Sequence, residues 1–429
     1  MKKYFNLIFV VAIVLFAITG CGGNPEEDGK TVVTFWHAMG GQLETTLTNM
    51  IDQFNKENPD ILVKPQCMGN YQTLSQKLMA ASQVGNNPTI AQAYEAWTQN
   101  FIDAGIVEPI QSYIDKEKMD LTDFYSVMID NNIFNDKIYS FPFNKSMPVL
   151  YVNMDMLKTA GIKKIPETHD ELMKAYEILS TNKAVQTMYA NPVKGTAFSA
   201  RDAWNFFCLL QQNGGKLTNK NETEAYLNSE PSKKSLKFML DTIKNDYGYL
   251  TQGYEHQTEF LAKKVGIIMS SSVSKSYMEN DKVTFNWASA PLTHNKTKSA
   301  ILSGTNVLIF NNNPKTCNEK QKEAGWKFIK WFTDRDQTAH WSIETNYMPV
   351  RKSSLKTEIM IANIAKDPLI KAALDQLPIA TFEPKSSKWF QCRQVIGEIL
   401  EECLTEKNPE INKYLEKIDT TVNSILKGE

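Results

Sequence analysis

Residues that build metal centres, redox pairs and nucleophilic triads are scarce in this chain. Its 429 residues hold 5 histidines, none close to another, and no HExxH pair, which excludes a zinc site of that kind. The 6 cysteines form no CxxC, so ribbon-type zinc sites are excluded as well. No GxSxG, Walker A or GxGxxG sequence occurs, which removes the hydrolase elbow, the P-loop and the dinucleotide fingerprint. Charge of one sign is also missing: Lys and Arg number 47 against 48 Asp and Glu, a formal charge of −1. Without a basic block there is no footprint for nucleic acid. No internal repeat and no long low-complexity tract appears. Neither a catalytic residue, a metal nor a cofactor is expected.

What the chain has in abundance is aromatic side chains, with 8 Trp, 16 Tyr and 21 Phe, a supply that fills cores and also suits a ligand cleft. The N-terminus is equally informative. Lys2 and Lys3 precede an apolar run over 7–17, and Ile18-Thr19-Gly20-Cys21 follows. A basic start, a short apolar run and small residues at a cut make a secretory signal peptide. The run is shorter than the ~20 residues of a membrane span. The end of this segment resembles a bacterial lipobox, which makes residues 1–20 the removed peptide and Cys21 the lipid-carrying first residue. Residues 21–30, with Gly22-Gly23-Asn24-Pro25, read as a tether. The expected location is extracytoplasmic, lipid-anchored to a bacterial cell membrane. About 400 residues remain, enough for two domains. Cys67, Cys208, Cys317, Cys392 and Cys403 read as buried thiols. Cys392 and Cys403 could share one helical face, but eleven residues of helix rise about 16 Å, beyond the ~7 Å reach of a disulfide.

Strand and helix signals alternate. Thr31-Val32-Val33-Thr34-Phe35-Trp36 reads as a strand. Leu43, Leu47, Met50, Ile51 and Phe54 recur at helical spacing, and the helix must end by Asn58-Pro59. Ile61-Leu62-Val63 and Thr89-Ile90-Ala91 are further strands. Thr168 and Glu171 match a capping box. Val265 to Met269 is a buried-type strand, and the 300–302 and 307–310 runs read as a strand pair around Ser303-Gly304. Pro142 and Pro148 suit a crossover better than a central strand. The pattern predicts mixed sheets flanked by helices.

Several phrases, in order, resemble the extracellular solute-binding proteins of ABC importers, most closely their phosphoglycerol-binding members. They are Phe35-Trp36-His37-Ala38-Met39-Gly40, Asn58-Pro59-Asp60, Gly69-Asn70-Tyr71, Ala93-Tyr94-Glu95, Pro142-Phe143-Asn144-Lys145-Ser146-Met147-Pro148, Ser271-Ser272-Val273-Ser274, Ser303-Gly304, Asn346-Tyr347-Met348-Pro349 and Gln391-Cys392-Arg393. The resemblance implies an α/β, two-lobe periplasmic-binding-protein-like fold of type II with a ligand cleft between lobes. It implies a first lobe over 31–145 and 301–346, and a second over 146–300 and 347–429. It also implies a monomer that closes on a small molecule and docks on permease transmembrane subunits. The ligand-binding residues it carries over are Tyr71, Glu95, Ser146, Ser272, Gly304, Tyr347 and Arg393, with Trp36, His37, Ser271, Ser274, Phe198 and Trp204 in a wider set. Phe198 stands where the family has a tryptophan, and Lys145 adds a cation to the hinge phrase.

The chemistry of these residue types fits a phosphoglycerol. A guanidinium fork grips phosphate, serine hydroxyls and a glycine amide donate, and a carboxylate accepts from glycerol hydroxyls. Read without the resemblance, Arg393 ahead of Val395, Ile396 and Ile399 is a surface charge on an amphipathic helix. Glu95 is then a helix-start acid, Tyr71 and Tyr347 are packing aromatics, and Ser272 and Gly304 are turn residues. Other functions stay open on these residues. An oligosaccharide would use more stacking rings. A secreted glycosidase would work through Glu95, and a serine hydrolase through the SxxK match Ser272-Val273-Ser274-Lys275. A lipid-anchored adhesin would show a large apolar patch and no deep cleft.

Overall fold

A computed structural model describes residues 26–189, 192–278, 283–367 and 369–429. The signal peptide expected over 1–20, Cys21 and the first half of the expected tether lie outside the described residues; its second half is not a free tether, since Glu26–Glu27 pairs antiparallel with Lys30 and Thr31. No helix among the described residues is long and apolar enough to cross a membrane.

The first lobe is built on the strand Lys30–His37, which alternates buried and half-buried residues. It pairs in parallel with Ile61–Cys67 on one side and with Ile90–Ala93 on the other. Asn306–Ile309 then adds antiparallel to Ile90–Ala93, and Ser140–Pro142 closes the edge. The helix Gln42–Glu57 buries Leu43, Leu47, Met50, Ile51 and Phe54, each contributing about 1.5–3 kcal/mol. It stops where the spacing predicts, with Asn58 capping ahead of Pro59. Phe54 meets Phe328 of the helix Glu319–Phe332 edge to face at 5.1 Å between centroids, which fixes that helix over the sheet.

The second lobe centres on Pro148–Asn153, every residue of which is buried. Ile267–Ser271 and Trp287–Ala290 flank it antiparallel. Thr196–Ser199 and Gly248–Thr251 make a parallel pair beside it. The helix His169–Thr181 begins at Thr168 with the expected capping box complete. The helices Trp389–Thr405 and Ile411–Lys427 pack on each other and on Ala203–Gln212 and Glu230–Lys244.

Three expectations change. Both prolines lie within strands: Pro142 is the last residue of an edge strand and Pro148 the first of a central one, positions where a missing N–H breaks no ladder. The 300–302 and 307–310 runs do not pair with each other. Ala300–Leu302 pairs with Ala380–Phe382, while Asn306–Ile309 belongs to the first-lobe sheet, because Gly304 turns the chain from one lobe to the other. Of the five cysteines, all free thiols, Cys67 is half-buried rather than buried.

Segments 143–147 and 303–305 run antiparallel between the two sheets. Ser146 N–H donates to Ser303 at 3.0 Å, Ser303 N–H returns to Ser146 at 2.9 Å, and Phe143 N–H donates to Thr305 at 3.2 Å. Met348 N–H joins them on the Lys145 carbonyl at 2.7 Å. The chain does not leave the first lobe at Tyr347, however. Arg351 donates to the Thr333 carbonyl at 2.6 Å and covers the Phe124 ring at 4.2 Å. The helix Leu369–Leu374 is the next element packed on the second-lobe strands. Arg351 thus ties the segment after Tyr347 to first-lobe groups.

Candidate functional site

Between the lobes lies a cavity of about 570 Å³, into which Tyr71, Glu95, Gly304 and Arg393 all face. Each is placed by a local device. Tyr71 opens the helix Tyr71–Gln83, whose first turn is held by the Asn70 side chain accepting from Thr73 N–H at 2.9 Å. Glu95 opens Glu95–Asp103 directly after the strand Ile90–Ala93, at the carboxyl end of a sheet where α/β ligands bind. Gly304 has φ +98°, and a Cβ there would sit 1.9 Å from the Asn144 carbonyl oxygen, so only glycine fits. Arg393 projects from the first turns of Trp389–Thr405.

The polar groups form a network. Glu95 Oε1 accepts from Lys145 Nζ at 2.8 Å, from Asn306 Nδ2 at 2.8 Å, and from Asn131 Nδ2. Lys145 is 1% exposed and also reaches the Gly304 carbonyl at 3.3 Å. Burial pulls its ammonium below the ordinary lysine value, and Glu95 works against that pull. Tyr71 accepts from Asn144 Nδ2 at 2.8 Å. Burial raises its phenol to about 12, so it stays neutral, with Tyr347 and Asn144 hydrogen-bonded to it. Arg393 Nη1 lies 2.9 Å from Glu383 Oε1. Trp389 Nε1 donates to Glu383 Oε2 at 2.9 Å.

The walls are aromatic. Tyr94 meets Tyr71 at 5.2 Å and Trp97 at 5.1 Å, and Phe390 lies over Tyr94 at 6.4 Å and against Trp97 at 5.4 Å. A flat, partly apolar slot with neutral hydroxyls and paired charges has the chemistry to accept a small hydroxyl-rich solute.

The other candidates are distributed around this cavity. Tyr347 is buried beneath it, stacked on Trp341 at 5.8 Å and bonded to Tyr71. Ser146 and Ser272 lie in the crossing region. Ser146 serves there through its backbone, and Ser272 Oγ donates to the Asn346 carbonyl at 3.2 Å. Six members of the wider set do not line the cavity. His37 is 1% exposed, and its Nδ1 accepts from Met39 N–H at 3.2 Å. Trp36 packs against the neighbouring apolar cluster. Ser271 accepts from Val273 N–H at 3.3 Å. Ser274 is buried and takes a bond from Gln257 at 2.9 Å. Phe198 faces an enclosed apolar space of about 30 Å³ inside the second lobe. Trp204 donates to the Ile301 carbonyl at 3.1 Å. His37, Phe198 and Ser274 are buried in the lobes, while Trp36, Trp204 and Ser271 are half-buried outside the cavity lining. The SxxK match does not assemble either: Lys275 Nζ sits 2.6 Å from Asp367, and Ser272 is bonded to a carbonyl.

Glu383, Trp389 and Phe390 were missed in the sequence. The available signal was an acid and aromatics bracketing Pro384 just ahead of a helix, a pattern too common to single out.

Comparison with known proteins bears on the fold and the family. The chain is 25% identical over 340 residues to the sn-glycerol-3-phosphate-binding periplasmic protein UgpB of Escherichia coli K12, covering 76% of this chain and 75% of that one. It is 24% identical over 424 residues to UgpB of Pectobacterium atrosepticum, covering 95% and 93%. Among solved structures, UgpB from Mycobacterium tuberculosis in complex with glycerophosphocholine superposes with a TM-score of 0.81 at 22% identity, covering 93% of this chain and 99% of that one. The cyclic α-maltosyl-1,6-maltose binding protein of Arthrobacter globiformis gives 0.78 at 21%, covering 94% and 100%. These two share the two-lobe fold. A profile of the bacterial extracellular solute-binding proteins matches residues 49–372, and the chain belongs to that family, whose members serve ABC importers.

Proposed function

We propose that this protein captures sn-glycerol 3-phosphate or a glycerophosphodiester between its lobes and delivers it to the transmembrane subunits of an ABC importer. It does so as a monomer held outside the cell membrane by lipid on Cys21. The observation that carries this reading is the meeting of Tyr71, Glu95, Gly304 and Arg393 in one interlobe cavity, together with similarity to UgpB along most of the chain. In this reading segments 143–147 and 303–305 are the hinge, with Met348 bonded alongside them. The Tyr71 ring supports the glycerol carbons, Glu95 accepts from its hydroxyls, and Arg393 donates to the phosphate. Ser146, Ser272 and Tyr347 support this arrangement from the hinge side.

Calorimetric titration with glycerol 3-phosphate, glycerophosphocholine and maltose tests it. Binding of a phosphoglycerol without maltose is expected, and Arg393→Ala should weaken it by about 2–4 kcal/mol. Binding of maltose alone would overturn the ligand and favour the sugar-binding reading, which the aromatic walls also suit.

A further inference from the structure

Resting on the phosphoglycerol reading, we infer that Glu383 is a charge-selecting residue of the cleft, one that admits a monoanionic phosphodiester and disfavours a dianionic phosphate monoester. The two arginines that line the cavity, and the lysine behind Glu95, are already matched inside the protein, while Lys385 at the far end of the cleft is held by the Asp130 and Ile133 carbonyls. Arg393 is paired with Glu383 at 2.9 Å, Lys145 with Glu95 at 2.8 Å, and Arg201 with Glu401 at 2.6 Å. Glu383 is itself fixed. Its second oxygen holds Trp389 Nε1 at 2.9 Å, and its side chain is 15% exposed. The carboxylate cannot turn away from the cleft without breaking that bond.

An incoming phosphate therefore meets an arginine whose charge is neutralised but whose other N–H groups carry no hydrogen bond among the described residues. Those donors serve one negative charge well. A phosphate monoester has a second pKa of about 6 and carries close to two charges at neutral pH. Its second charge finds both lining arginines already paired and faces the Glu383 carboxylate, where like charges repel. A diester keeps a single charge at any pH near neutrality. Its second alcohol replaces the oxygen that would otherwise be charged, and that alcohol has the Tyr94 and Phe390 rings to rest on.

The test compares wild type with Glu383→Gln, which keeps an acceptor for Trp389 and removes only the charge. The ligands are glycerol 3-phosphate and glycerophosphocholine, titrated by calorimetry. Wild type should bind the diester at least about tenfold more tightly than the monoester, and in Glu383→Gln that ratio should collapse by about tenfold. An unchanged ratio, or an equal loss for both ligands, overturns the assignment. The ligand's own titration supplies a check that needs no variant. Between pH 7.5 and 5.5, as the monoester gains a proton, its affinity for wild type should rise relative to the diester (about 25-fold at most); a relative fall overturns the inference. A wild-type protein that binds maltose and neither phosphoglycerol defeats the parent reading, an outcome distinct from a phosphoglycerol binder with a fixed ratio.

Discussion

The buried ion pair is the decisive feature at the scale of single residues. Lys145 is sealed from solvent, so its ammonium depends on Glu95 and the Gly304 carbonyl. Removing one partner of such a pair leaves the other uncompensated, at about 3–5 kcal/mol. Lys145→Met should destabilise the protein by that order in urea denaturation, and Lys145→Met with Glu95→Gln should recover most of the loss. Equal destabilisation by single and double variants would show that the pair is not coupled.

His37 gives a pH-dependent counterpart. Its Nδ1 accepts a backbone bond, and burial lowers its pKa from 6.5 to about 4. Above pH 6.5 the imidazole is neutral in folded and unfolded chains alike. As pH falls from 6.5 to about 4, the unfolded chain takes up a proton that the native site refuses, so stability drops, and the loss is complete below that window. His37→Gln should flatten the fall in stability between pH 7.5 and 4.5 by on the order of 3 kcal/mol. An unchanged pH slope would overturn this account. Arg393 was legible only through the family phrase, since its pattern on the helix is that of a surface charge. Its partner Glu383 was not legible, because the pair forms between positions on either side of a loop and a helix start.

Among the elements, the first strand and helix were plain in the sequence because alternation and 3.6-residue spacing are local properties. The capping box at Thr168 was equally plain, and it is formed in full. Thr168→Ala should cost about 1 kcal/mol, seen as a lower midpoint in thermal unfolding, with ligand affinity intact because this helix lies away from the cleft. A loss of affinity would place the helix in the closing machinery instead. The two strands around Gly304 illustrate the opposite case. Their composition says strand, yet which strand each joins depends on partners some 80 and 210 residues away in the chain, and composition carries no record of that.

At the scale of the whole molecule, the lobes already touch at one end of the cleft. Lys385 Nζ donates to the Ile133 carbonyl at 2.6 Å and lies over the Phe134 ring at 4.9 Å. Asn100 Nδ2 reaches the Ser387 carbonyl at 3.1 Å. Contacts of this kind exist only when the lobes are near each other, so they bias closure before ligand arrives. Small-angle scattering should show a smaller radius of gyration with bound phosphoglycerol, and Lys385→Ala should enlarge the ligand-free form. Curves that superpose in all three conditions would rule out hinge motion.

Local order in this chain was decided by the sequence alone: which segments are helix or strand, where helices start and stop, and the absence of metal and nucleotide motifs. These follow from periodicity, capping chemistry and composition, all of which act over a few residues. The tertiary structure alone decided which cations stay available to a ligand. Whether Arg393 meets a solute or a neighbouring carboxylate depends on distances across a cleft between two lobes, and such distances exist only once the chain has crossed between them and folded.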